Sequence, residues 1–98
     1  MEFMVHMMVN FPENGDTELF SKLVEAENLR AKQLASEGII KKLWRRPGQK
    51  SNVGIWSALD ATQLHSAIAS LPLFHWLEVE VWPLAEHPND PKKNGELI

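Results

Sequence analysis

Apolar and polar residues alternate through the opening stretch MEFMVHMMVNF. Phe3, Val5, Met7, Val9 and Phe11 fall on one side, and Met4, His6, Met8 and Asn10 on the other. A period of two predicts a strand with one buried face and a second face that is itself partly apolar. PENGDT reads as a loop, and from Leu19 to Gly38 the period becomes that of a helix. Asp16 or Thr17 can cap this helix, and Gly38 stands where a left-handed C-terminal residue is wanted. IIKKLWRR predicts a second strand, PGQK a turn and SNVGIWS a third strand. Asp60 caps a second helix, ATQLHSAIASL, whose stripe is Ala61, Leu64, Ala67, Ile68 and Leu71, and Pro72 breaks it. LEVEVWPL is the fourth strand, with Leu77, Val79 and Val81 on one face. A polar, proline-rich tail follows from about residue 84.

The order β-α-β-β-α-β predicts one ferredoxin-like α+β domain over residues 1–98. Its antiparallel four-stranded sheet carries both helices on one face. The other face receives large apolar groups drawn from Met4, Met8, Trp44, Trp56 and Trp82. A lone chain would expose them as a patch larger than soluble monomers usually carry, so a sheet-to-sheet dimer is expected.

One residue interrupts the first helix's stripe of Phe20, Leu23, Val24, Ala31, Leu34 and Ala35. Glu27 lies at its centre, with Leu23 and Ala31 about 40° to either side. Two readings fit. Glu27 is half of a structural ion pair, with Arg45 or another cation, or it is a base whose pKa desolvation raises toward the working pH. The segment LWRRPGQKSNVGIW divides in the same way. It is either a solvated basic hairpin with core tryptophans, or an anion-binding rim bracketed by Trp44 and Trp56. In the second case Arg45 or Lys50 takes a carboxylate and Asn52 donates to an oxyanion.

Composition narrows the chemistry. With 44% apolar and 23% charged residues the chain is globular. A net charge of −3, with no Lys/Arg run longer than two, argues against a nucleic-acid partner. The absence of cysteine excludes disulfides, thiolate nucleophiles and cysteine metal sites. His6, His65, His75 and His87 lack the spacing of a zinc site, so no metal is expected. There is no nucleophile elbow and no phosphate-binding glycine loop. No apolar run approaches ~20 residues and no signal-like leader is present, so no membrane is expected and the cytoplasm is the default.

The run ASEGIIKKLWRRPGQKSNVGIWSALDATQLHSAIASLPLFHWLEVEVWPLAEHP resembles the muconolactone delta-isomerase family, which includes the chloromuconolactone dehalogenases. The matching positions are Glu37-Gly38, Leu43 to Arg45, Gly48, Asn52, Leu64-His65, Leu71 to Phe74, Glu80-Val81 and His87-Pro88. Glu27 falls at a family glutamate. The resemblance implies an isomerase of aromatic catabolism that moves a proton in muconolactone from the ring's γ carbon to its α carbon, giving 3-oxoadipate enol-lactone. It also implies no cofactor, and dimers assembled into a ring, commonly a decamer, with the tail clasping a neighbour. Glu27 would carry the proton, Arg45 or Lys50 would bind the carboxymethyl group, and Asn52 and Trp56 would complete the substrate site. Familiar members carry a His-Tyr pair after the glycine at 48, where this chain has Gln49 and Lys50. Dehalogenation on the same scaffold is the alternative, and a non-catalytic assembly domain is the rival from another class. A cation closed on Glu27 would favour architecture, and an unpaired carboxylate in an open pocket would favour catalysis.

Overall fold

The alternation of the first eleven residues becomes β1 (Glu2–Val9), with Phe3, Val5 and Met7 buried. It is the first element of a computed structural model that describes residues 1–91, so the last seven residues of the expected tail lie outside the described residues. Next comes α1 (Thr17–Ser36), where the Asp16 carboxylate accepts from the Glu18 and Leu19 amides at 2.9 and 3.1 Å. Gly38, at φ +79°, closes the helix. Its amide donates to Ala35, and that of Ile39 reaches back to Leu34, a left-handed cap that glycine adopts without steric cost.

The chain continues through β2 (Ile40–Arg45), β3 (Ser51–Ser57), α2 (Ala61–Ala69), a 3₁₀ turn at Phe74–Trp76 and β4 (Leu77–Leu84). Asp60 caps α2 by accepting from the Gln63 amide, while Gln63 Oε1 accepts from the Leu59 amide. The helix ends two residues earlier than its pattern predicts, yet Leu71 still reaches the core, whereas Ala61 is exposed. All pairings are antiparallel and the strands lie in the order β2-β3-β1-β4, the expected ferredoxin-like α+β arrangement. No helix among the described residues is long and apolar enough to cross a membrane.

Register assigns the two sheet faces. Phe3 lies opposite Trp56, Val5 opposite Gly54 and Met7 opposite Asn52, so these six share the face turned toward the helices. Leu43 and Arg45 of β2 join them. This corrects one expectation: Trp56 does not lie on the outer face but is buried in the core at 1% exposure. The outer face holds Met4, Trp44, Val53, Ile55 and Trp82, of which Met4, Trp44 and Trp82 are exposed. The α1 stripe also departs from the simple pattern. Leu34 alone is fully buried, while Phe20, Leu23, Val24 and Ala31 are half-covered, because a cleft separates this part of the helix from the sheet.

At Gly54 the bulged β2 backbone comes close. An added Cβ would collide with the Lys42 carbonyl oxygen and lie 2.6 Å from Leu43 Cδ2. A backbone carbonyl held in a strand pairing cannot move aside as a side chain can. Gly54→Ala should therefore cost about 1–3 kcal/mol, read as a lowered midpoint in urea unfolding.

Candidate active site

The cleft between α1 and the sheet has a volume of about 430 Å³. Phe20, Val24 and Ala31 of α1 form one wall, and Ile40, Leu43 and Met7 of the strands form the other. Leu71 and Leu73, from the turn between α2 and β4, and Leu77 at the start of β4 close one side. Into this apolar setting α1 delivers Glu27. The positions that sequence singled out for chemistry, Glu27, Arg45, Lys50, Asn52 and Trp56, all line this one cleft.

Glu27 is half-buried, and its Oε1 accepts a 3.0 Å hydrogen bond from the Leu73 amide. Among the described residues it has no ion-pair partner; the salt bridges there are Lys22–Glu18 and Lys41–Glu2, both on the surface. Burial pushes its pKa above the ordinary value, and the Leu73 hydrogen bond pulls the other way with less effect. A desolvated carboxylate with a neutral partner is a stronger base than one in water and keeps an oxygen free to use it.

Leu73 is the residue that sequence reasoning missed. Its role is carried by a backbone amide, which no side-chain pattern reveals. The signal available was LPLF: Pro72 ends the helix, and the amide after it has no helical acceptor.

Arg45 and Asn52 stand opposite each other on the helix-side face, at the last position of β2 and the second of β3. Both Arg45 and Lys50 are exposed, and neither has a carboxylate within ion-pair distance among the described residues. The Lys50 carbonyl accepts from the Val9 amide at 3.1 Å, so the backbone of this rim is tied to β1. Among the described residues two buried side-chain polar atoms lack a hydrogen-bond partner, Asn52 Oδ1 and Trp56 Nε1, and both belong to residues that line the cleft. Gly54 separates them on β3. Trp44 also borders the cleft from the rim. Among the described residues no group of three or more His, Asp or Glu side chains is placed to hold a metal.

The Glu27 environment has a consequence for stability. Its folded pKa lies above its unfolded value, so the folded state binds the proton more tightly. The stability linked to this group is full below the ordinary carboxylate value and is lost as pH rises through the raised folded value. Glu27→Gln removes that dependence and can still accept from Leu73. Its stability relative to the parent should therefore increase from about pH 4 to about pH 8 in thermal unfolding. A large loss of stability at neutral pH would instead reveal a charge partner stranded by the substitution.

Comparison with known proteins agrees over nearly the whole chain. The family model of muconolactone delta-isomerase matches residues 1–90. Muconolactone Delta-isomerase 2 of Acinetobacter lwoffii is 34% identical, covering 89% of this chain and 91% of that protein. Muconolactone Delta-isomerase of Rhodococcus opacus is 32% identical, covering 92% and 97%. A crystal structure of muconolactone isomerase superposes with a TM-score of 0.86 at 32% identity, covering 92% of this chain and 94% of the other. On the family match, the identities and the shared fold, this chain belongs to the muconolactone delta-isomerase family.

Proposed function

We propose that this protein isomerises muconolactone to 3-oxoadipate enol-lactone, with Glu27 as the single base that moves the proton. The observation that carries the reading is a half-buried carboxylate, with no ion-pair partner among the described residues, that lines an apolar cleft in a chain of this family. Glu27 takes the proton from the γ carbon, and the electron pair spreads through the ring to the carbonyl oxygen as a dienolate. The carboxylic acid then returns the same proton to the α carbon, and the carbonyl re-forms. Both carbons belong to one five-membered ring, so one carboxyl group reaches them with a small movement. Net change is a shifted double bond, with no electron supplied or removed.

The rest of the cleft suits a small lactone acid. Arg45, with Lys50 beside it at the rim, holds the carboxymethyl group by charge-assisted hydrogen bonds. Asn52, opposite Arg45, donates to the lactone oxygen. The apolar walls exclude water and keep Glu27 basic. The cytoplasm is the compartment this reading assigns.

Purified protein with muconolactone, followed by ultraviolet absorbance, tests the activity directly. Glu27→Gln should lower turnover by at least ~10²-fold while the protein stays folded. Normal turnover by that variant would assign the carboxylate to architecture.

Assembly is part of the same proposal. Met4, Trp44 and Trp82 are exposed apolar side chains on the outer sheet face, beside His6, Glu78 and Glu80, and they favour a second sheet packing against it. The longest dimension of 54 Å, against a narrowest of 19 Å, suits a tail reaching for a neighbour in a ring of dimers such as a decamer. Light scattering at micromolar concentration should give a mass well above the 11.2 kDa chain, and a mass of 11.2 kDa would overturn this arrangement.

A further inference from the structure

We infer that the indole N–H of Trp56 receives the lactone carbonyl oxygen and stabilises the negative charge that collects there during proton transfer. The inference rests on the isomerase reading and adds a second catalytic residue to it. Trp56 is 1% exposed, it is one of the residues that line the cleft, and its Nε1 is closed to solvent with no acceptor among the described residues. Indole nitrogen can only donate, so it finds no use as a buried group until something brings it an acceptor. A buried donor without a partner calls for an explanation in a folded protein, and a ligand supplying the acceptor is one. Such a donor, once a ligand's carbonyl reaches it, strengthens its bond to the oxygen as charge develops there.

The layout of β3 fits the substrate end to end. Arg45, Asn52 and Met7 make one row across the sheet, and Ile40, Trp56 and Phe3 make another. The two rows are four residue steps apart along the strand, roughly 13–14 Å between their Cα atoms. Between them lies Gly54, which puts no side chain into the space. In muconolactone the carboxymethyl group and the ring carbonyl project from opposite sides of the ring. A carboxylate held at the Arg45 row therefore directs the carbonyl toward the Trp56 row. Glu27, on the helix across the cleft, faces the ring between them. This orientation also divides the labour on β3. Asn52 stays with the lactone ring oxygen, which lies between the two ends, and the charge that grows at the carbonyl end falls to Trp56.

The test is steady-state kinetics of Trp56→Phe with muconolactone, beside the parent and Arg45→Met. Trp56→Phe removes the donor and keeps an aromatic ring, so kcat should fall about 10²-fold with KM little changed. Arg45→Met should do the reverse, raising KM while kcat holds, because its contact is alike in ground and transition states. If Trp56→Phe does not fold, a benzothienyl analogue of tryptophan incorporated at Trp56 keeps the bicyclic shape without the N–H, and the same loss of kcat is expected. Parent turnover with an equal kcat in a folded variant overturns the Trp56 assignment alone. A change confined to melting temperature has the same meaning, since packing without a bond to substrate predicts it. No turnover by the parent brings down the isomerase reading, and this inference with it.

Discussion

The hydrogen bond from the Leu73 amide to Glu27 is the contact on which the cleft depends. A carboxylate set among apolar side chains loses hydration, and some group has to replace the missing water. A guanidinium would do so most strongly, but it would also pull the pKa down and spend the base on an ion pair. A single backbone amide answers one oxygen, costs no charge and leaves the other oxygen to face a ligand. The chain segments are arranged accordingly. Pro72 ends the region of α2, the following turn presents the amide, and the cations are kept on β2 and on the hairpin turn at the rim.

Keeping the cleft open alters the usual division between inside and outside. On β3 the face turned toward the helices carries Asn52, Gly54 and Trp56, while Val53 and Ile55 point the other way. By apolarity alone the valine and isoleucine would be expected to face the helices. Their outward position is consistent with a sheet buried on both faces, one by helices and one by another copy. The half-covered stripe of α1 has the same origin, because a helix packed tightly on the sheet would leave no room for a ligand.

These exceptions mark the limit of what was legible from sequence. Periodicity and capping residues identified the strands, both helices and their order, since Asp16, Gly38 and Asp60 act through local geometry that one short segment encodes. Glu27 was legible because it violates a helical pattern, and the hairpin residues because charge and amide chemistry cluster there. The outer-face placement of Trp56 failed because a short strand can be turned either way, and only its pairing with β1 and β2 decides which face an indole joins. Leu73 was invisible for a different reason: backbone amides are common to all residues except proline, and only tertiary structure brings this one to a carboxylate forty-six positions away.

The turn from Pro47 to Lys50 is exposed throughout and puts no side chain into the core. Its left-handed residue is Gly48, at φ +79°, and the remaining positions have ordinary backbone angles. Replacing Lys50 would change what an approaching anion meets while leaving the packed interior as it was, whereas Gln49 Oε1 accepts from the hydroxyl of buried Ser51 at 3.1 Å. On the proposed reading, the groups that hold the base and the groups that greet the substrate are thus on separate parts of the chain. Such a scaffold can acquire a new preference among related lactones by single substitutions in one hairpin, without first accumulating spare stability to tolerate them.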